Sequence, residues 1–154
     1  MGHGKSAFWS LTSSAVIGVA SGYLSQTGAA MVLSLTPAHQ LPAHLQAPWI
    51  RNVVLASAGG EMVANAHFTF LPSRKSPGPL FGRIMFGAGS AALLAYSRRS
   101  GPIVAGIIGG VSAALAANVA SDSRAVLARH VPDALVGWAE NALALGLAVA
   151  ATRQ

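Results

Sequence analysis

The acidic residues are the rarest ionisable groups in this chain, and two of the four lie where an acid is energetically unfavourable. Asp122 and Asp133 fall in a polar connection, whereas Glu61 and Glu140 each lie inside an otherwise apolar stretch. An ionised side chain at the centre of a membrane helix costs about 3 kcal/mol on insertion scales. We therefore expect each of the two glutamates to have a polar partner at its own depth.

Polar residues share the helix face of Glu61. Ser57 and Asn65 lie four residues before and after it, which places the three side chains on one face. Arg83 is the one basic residue inside an apolar stretch, and we expect it to lie close to both Glu61 and Glu140. The full intramembrane cluster predicted from the sequence is Ser57, Glu61, Asn65, Arg83, Asn118, Glu140 and Asn141.

Two kinds of chemistry fit this cluster. It is either a buried polar clamp that holds helices together or the lining of a path for a solute or a proton. Two carboxylates are also a common pair for general acid and base catalysis, but the sequence has no accompanying nucleophile, metal-ligand set or cofactor motif. We therefore predict no catalytic residue, no metal site, no cofactor and no enzymatic activity.

The composition places these residues in a membrane. Of the 154 residues, 53% are hydrophobic and 9% are charged, against about 25% charged in soluble proteins. So few charges cannot cover a water-facing surface, and the high hydrophobicity excludes disorder. The net charge is +6, with basic residues at the ends of apolar stretches. We expect the lipid bilayer and its anionic headgroups as partners, and no nucleic acid.

Five apolar stretches approach the length that a membrane-crossing helix needs. We predict one all-α transmembrane domain over residues 1–154, a polytopic helical bundle of about five spans. Ser25-Gln26-Thr27-Gly28 interrupts the first stretch, which is either one tilted helix or two half-helices that meet at Gly28. The predicted helices are Leu11–Leu35, Ile50–Phe68, Leu80–Tyr96, Pro102–Ala120 and Ala134–Ala151.

The connection after the fourth helix is predicted to hold a short helix of its own. Asp122 is a good N-cap residue. Arg124 and Arg129 flank Val126 and Leu127, a pattern typical of helices that lie on the membrane surface.

Small residues recur every four positions along three of the predicted helices. Inside lipid, helices associate through close backbone contact between small residues, because the hydrophobic effect does not act there. The rows favour tight packing within the bundle, with self-association as the alternative. The predicted packing residues are Gly18, Gly22, Gly87, Gly106, Gly110 and Ala114.

Several short motifs follow one another in a fixed order along the chain. They are Gly-Glu-Met-Val-Ala-Asn at 60–65, Pro-Ser-Arg at 72–74, Arg83, Pro132-Asp133 and Glu140-Asn141. In this order the chain resembles a bacterial integral-membrane family that is described only as a domain of unknown function. The resemblance implies a multi-pass protein of the bacterial inner membrane and implies no activity. Asn65, Ala66 and Asn141 stand where the family has an Asp, a Lys and a second acid.

Two functions therefore remain open. The first is a small permease or channel whose polar path includes Glu61, Asn65, Arg83 and Glu140. The second is a non-catalytic structural or accessory subunit of a larger membrane complex, with a homo-oligomer as the simplest case. A water-accessible cavity lined by both glutamates would favour the first, and a sealed, arginine-paired core the second. With five spans, six of the ten basic residues fall on the N-terminal side, which favours a cytoplasmic N-terminus.

Overall fold

Six α-helices make up most of the chain in a computed structural model that describes residues 3–67 and 74–153. Prolines open three of them, and proline suits a first turn because its missing N–H has no partner there. Phe68, the predicted end of the second helix, and Pro72-Ser73 of the Pro-Ser-Arg motif lie outside the described residues. The helices are α1 (His3–Tyr23), α2 (Thr27–Leu35), α3 (Pro48–His67), α4 (Pro77–Ser97), α5 (Pro102–Leu127) and α6 (Asp133–Arg153).

The bundle has two ends, which we name after one residue at each. The Ser100 end carries the turn between α4 and α5, and the Asp133 end carries the start of α6. Helix α6 returns to the Ser100 end, where Arg98 Nη2 donates to the carbonyl oxygen of Ala151 at 2.8 Å. Helix α3 runs the opposite way, with its last turn packed against the first turns of α6.

The first predicted helix, Leu11–Leu35, is two helices in the structure. Helix α1 ends at Tyr23, and α2 begins at Thr27, directly before the predicted meeting point at Gly28. Ser10 Oγ near the start of α1 lies 3.0 Å from Ser100 Oγ. The segment after α2 also reaches the Ser100 end, because its residues 39–41 line a groove together with the α4–α5 turn. Helices α1 and α2 therefore form a hairpin that enters and leaves at the same end.

This hairpin changes the predicted topology. In a five-span arrangement the start of α1 would lie opposite Arg98, Arg99 and Arg153, but it lies at their end of the bundle. The sides assigned to the basic residues in that count are therefore wrong, because the start of α1 lies at the same end as Arg98 and Arg153, and the cytoplasmic N-terminus stays a prediction.

Three helices are long and apolar enough to cross a membrane, namely α4, α5 and α6. The outward face of α5 shows why. Ile103, Ile107, Val111, Leu115 and Val119 recur every four residues and are each more than half exposed. By the rise of an α-helix they form an apolar stripe about 24 Å long, which matches a lipid-facing surface and not a water-facing one.

Helix α1 lies at the centre of the bundle although its sequence is rich in serine. It packs against α5, α4 and α6, and Ser13, Ser14, Ile17 and Ser21 are each at most 2% exposed. The surrounding apolar helices shield these hydroxyls from the outside of the bundle. Burial inside protein explains how a helix that is less apolar than its neighbours occupies the middle of the fold.

The tightest helix contact joins α1, α4 and α5 at three glycines. A Cβ added to Gly18 would lie 2.3 Å from the carbonyl oxygen of Gly109, and one added to Gly109 would lie 2.6 Å from that of Gly87. One added to Gly22 would lie 2.6 Å from the carbonyl oxygen of Ala113. Each helix therefore touches the next through bare backbone, as small-residue packing requires.

The other predicted packing residues have looser surroundings. A Cβ on Gly106 or Gly110 would have its nearest neighbours on α4 at 3.4 Å, an easily accommodated distance. Ala114 is half-buried on the same helix. The sequence prediction missed Gly109, which makes the closest approach.

The predicted surface helix after the fourth span is absent. Helix α5 continues without a break through Asp122 and Arg124 to Leu127. Asp122 is therefore not an N-cap; its carboxylate instead pairs with Lys75 Nζ at 2.5 Å.

Gly109→Ala should destabilise the bundle by about 1–3 kcal/mol, the usual range for overpacking a core. The added methyl group has only backbone atoms and the Ala91 side chain to displace. Gly89→Ala on α4 is the matched control, because nothing lies within 4 Å of its added Cβ. Alanine is the better helix former by about 1 kcal/mol, so this variant should be at least as stable as the wild type. Thermal unfolding in detergent measures both, and equal midpoints would contradict the packing described above.

Candidate functional site

Glu140 is the centre of a buried charge network. Arg74 forms a two-point ion pair with it, with Nη1 to Oε1 at 2.9 Å and Nη2 to Oε2 at 2.6 Å. Arg124 Nη1 also donates to Oε2 at 3.0 Å. The side chains of Arg74 and Glu140 are only 9% and 8% exposed. Both carboxylate oxygens are therefore occupied, which offsets the penalty of burying the charge.

Asn65 connects the two arginines to the helix that carries Glu140. Its Oδ1 accepts from Arg74 at 2.8 Å and from Arg124 at 2.7 Å. Its amide nitrogen donates to Asn141 Oδ1 at 3.0 Å, and Asn141 in turn donates to the carbonyl oxygen of Met62 at 2.9 Å. Helix α3 is thus fastened to α6 through polar side chains on both helices.

Gly137 allows this close approach between α3 and α6. A Cβ at this position would lie 2.7 Å from the carbonyl oxygen of Asn65. Any larger residue would push the two helices apart and lengthen the hydrogen bonds of Asn65 to α6.

Asp133 completes the set and balances its charge. Arg124 donates to both of its oxygens, from Nε at 2.8 Å and from Nη2 at 2.7 Å. Two guanidinium groups then face two carboxylates, so the formal charges cancel. We call this set, which consists of Asn65, Arg74, Arg124, Asp133, Glu140 and Asn141, the Glu140 network.

Glu61 has a different role at the break between α1 and α2. Its Oε1 accepts from the backbone N–H of Ser25 at 2.8 Å, and its Oε2 accepts from that of Gln26 at 3.0 Å. These N–H groups precede α2, where the helix dipole favours a negative charge. A carboxylate on α3 therefore fixes the tip of the hairpin.

Arg83 serves the other half of the same break. Its Nη2 lies 3.9 Å from Glu61 Oε1, and its Nε donates to the carbonyl oxygen of Gly22 at 3.1 Å. That carbonyl belongs to the last turn of α1, where the dipole favours a positive charge. One ion pair thus neutralises two helix ends that meet inside the bundle. We call Glu61 and Arg83 the hairpin latch.

The predicted cluster is therefore divided. Glu61 and Arg83 form the latch, whereas Asn65, Glu140 and Asn141 belong to the Glu140 network. Among the described residues, Arg83 makes no ion pair with Glu140. Ser57 is exposed on the outer face of α3, and Asn118 donates to the carbonyl oxygen of Ala114 on its own helix. These two residues were wrongly included because four-residue spacing fixes a helix face but not which side of the bundle it meets.

Sequence reasoning missed Arg74 and Arg124. The sequence predicts Arg124 on a surface helix and Arg74 in the Pro-Ser-Arg motif, and it places neither of them beside Glu140. The number of charges in the apolar stretches could have revealed them. Two glutamates and one arginine lie there, which leaves one carboxylate without a counter-charge.

Arg98 lies directly after α4. It is half-buried and caps the C-terminal end of α6, with donation to the carbonyl oxygens of Ala151 and Thr152. Burial lowers the pKa of its guanidinium below the usual value.

Within residues 3–67 and 74–153, no three side chains of His, Asp or Glu come together as metal ligands. The Glu140 network satisfies its own donors and acceptors, which leaves Glu140 no free oxygen for a proton relay.

Arg124→Ala should destabilise the protein by about 3 kcal/mol, because Asp133 loses its ion-pair partner and buried Glu140 keeps only Arg74 as a counter-charge. Lys75→Ala removes one lysine from an exposed ion pair with Asp122 and should cost no more than about 1 kcal/mol. Chemical denaturation of both variants in the same detergent gives the comparison. Similar losses would show that the Glu140 network is not closed to solvent.

Glu61→Gln should loosen the hairpin and leave the helices around it folded. The amide oxygen can accept from only one of the two N–H groups, and the amide nitrogen would face donors. Amide hydrogen exchange of residues 25–28 should accelerate at least tenfold, while α5 stays protected. Ser57→Ala, one turn away on α3 and exposed, is the control and should leave exchange unchanged. Unchanged protection in Glu61→Gln would mean that the latch does not hold the hairpin.

No protein-family model, no curated protein and no solved structure matches the chain.

Proposed function

We propose that the protein is a multi-pass membrane protein that acts as a non-catalytic subunit of a membrane assembly, and that α3 is the helix through which it meets its neighbour. The observation that carries this proposal is the outer face of α3. Asn52, Ser57, Gly59 and Gly60 are all exposed there, beside the exposed Val53 and Val63. A Cβ added to either glycine would meet nothing within 4 Å.

This face suits protein better than lipid. Lipid tails offer no hydrogen-bond partner to Asn52 or Ser57, whereas a second helix does. Gly59 and Gly60 would let its backbone come close. Helix α3 is also not one of the three helices that are apolar enough to cross a membrane. Contact with another protein would therefore shield its polar side chains from lipid.

The membrane setting is supported by aromatic residues at both ends. Trp9, Trp49 and Tyr96 are exposed at the Ser100 end, and Phe81 and Trp138 are exposed near the Asp133 end. Amphipathic aromatic rings favour the interface between lipid and water. The closure of the Glu140 network supports a structural role, because a solute path requires polar groups that are free to exchange partners.

Membership of the bacterial family remains part of the proposal. Its support is that the quoted motifs meet in space: Arg74 pairs with Glu140, and Arg83 pairs with Glu61. Asn65 and Asn141 replace two acids of the family pattern, which makes this chain's network neutral.

The permease or channel function is the second candidate, and one observation favours it. The hydroxyl oxygens of Ser21, Thr27 and Ser90 are buried without a hydrogen-bond partner around the α1–α2 break. Broken helices at membrane depth commonly form substrate or ion sites in transporters. Flux of small ions and solutes into proteoliposomes tests it. Flux that Glu61→Gln abolishes would favour transport over the subunit role.

The absence of cysteine makes a direct test of the subunit role possible. Ala56→Cys and Gly60→Cys place single thiols on the exposed face of α3, and Leu115→Cys places one on the apolar stripe of α5 as the control. On oxidation in native membranes, the α3 variants should form a defined disulfide-linked or chemically cross-linked product, and the control should not. The mass of the product distinguishes a second copy of the chain from a different protein. Equal reactivity of the three positions, with no α3-specific product, would contradict the proposal.

A further inference from the structure

The groove at the Ser100 end combines a strained arginine with several hydrogen-bonding side chains. It has a volume of 490 Å³ and lies between the segment after α2 and the α4–α5 turn. The residues that line it are His39, Gln40, Leu41, Tyr96, Ser97, Arg99 and Ser100. None of these residues belongs to the Glu140 network or to the hairpin latch.

Arg99 has a backbone conformation that arginine rarely adopts. Its φ is 55°, the one positive φ of a non-glycine residue among the described residues. The α4 C-terminus explains the angle, because Ser100 N–H bonds to the carbonyl oxygen of Ala95 and Arg99 N–H to that of Tyr96. This is the Schellman pattern, in which the left-handed position is usually glycine. Arginine here is therefore less stable than glycine would be, and such strain concentrates at functional sites.

The guanidinium of Arg99 has no counter-charge among the residues that the structure describes. Among the described residues it makes neither an ion pair nor a side-chain hydrogen bond. None of the four acidic side chains lies at this end: Asp122, Asp133 and Glu140 belong to the opposite half, and Glu61 lies near the Arg83 level. The groove therefore presents an uncompensated positive charge.

The neighbouring side chains suit an anion with several oxygens. Tyr96 offers a phenolic O–H, Gln40 offers an amide, and His39 offers a ring N–H. The hydroxyls of Ser97 and Ser100 are already committed, because each donates to a carbonyl oxygen of α4. Three neutral donors around one guanidinium match a phosphate group, which arginine binds through two parallel hydrogen bonds.

We propose that this groove is a binding site for a phosphate group, with Arg99 as its cation and Tyr96, Gln40 and His39 as additional donors. The phosphate belongs either to the headgroup of an anionic phospholipid or to a free phosphate ester. The site is independent of the subunit role of α3, since it uses a different surface at one end of the bundle.

The test compares Arg99→Gln with Arg153→Gln, which removes the same charge at the same end but outside the groove. Native mass spectrometry with phosphatidylglycerol counts bound lipid. The affinity should fall at least tenfold in Arg99→Gln and less than twofold in Arg153→Gln. Equal losses would mean diffuse attraction to the membrane, and no loss in either would mean no site; both results overturn the proposal.

A second variant separates binding from folding. Arg99→Gly removes the charge and relieves the backbone strain, so its Tm should rise by about 2–4 °C for a chain of this size while phosphatidylglycerol binding falls as in Arg99→Gln. Binding that survives in this more stable variant would overturn the proposal. Tyr96→Phe should lower the affinity by a smaller factor, about two- to fivefold.

Two further arms identify the source of the phosphate. Inorganic phosphate and glycerol 1-phosphate, each at millimolar concentration, should raise the Tm of the wild type but not of Arg99→Gln if the ligand is a free phosphate. If only phosphatidylglycerol does so, and phosphatidylcholine does not, the ligand is an anionic headgroup. No effect of any of the four would overturn the proposal.

Discussion

A carboxylate inside a helix bundle has to be matched by positive charge, and this constraint organises the fold around Glu140. Arg74 precedes α4, and Arg124 lies in the last turn of α5, so pairing with Glu140 draws α4, α5 and α6 together at the Asp133 end. Asn65 adds α3 to the same point through hydrogen bonds to both arginines. Four helices thus converge on one charge, although each belongs to a different part of the sequence.

The hairpin latch follows the same rule with a single ion pair. Glu61 faces the backbone N–H groups before α2, and Arg83 faces a carbonyl oxygen at the end of α1. Each charge stabilises a helix end of opposite sign, and the two side chains also attract each other. A backbone break within the bundle is thereby supplied with partners that water would otherwise provide.

The sequence predicted much of this, for identifiable reasons. Apolar runs and prolines located α3, α4 and α6 to within three residues and located the start of α5, because both features act locally, but α5 ends seven residues later than predicted. The pairing of Arg83 with one of the glutamates was also predictable from the rule that buried charge needs a partner. The return of α2 to the Ser100 end was not, since helix periodicity contains no information about direction. Arg124 was missed because α5 continues through polar residues that resemble a helix boundary. Only the contacts of Arg124 with Asp133 and Glu140 explain why the helix does not end before them.

The prediction of small-residue packing from the sequence was limited in the same way. Four-residue rows correctly indicated that backbones approach closely, but Gly109 lies one position away from the row that contains Gly106 and Gly110. Helix crossing geometry decides which of two adjacent glycines makes the contact, and crossing geometry depends on the partner helix.

The central position of α1 has a consequence for assembly in the cell. Synthesis runs from the N-terminus, so α1 leaves the ribosome before α4, α5 and α6 exist. Its serines are buried only by those later helices, and in lipid alone they would face hydrocarbon. Helix α1 therefore reaches its buried surroundings only after α4, α5 and α6 have been made, because those later helices provide the surfaces that cover its serines.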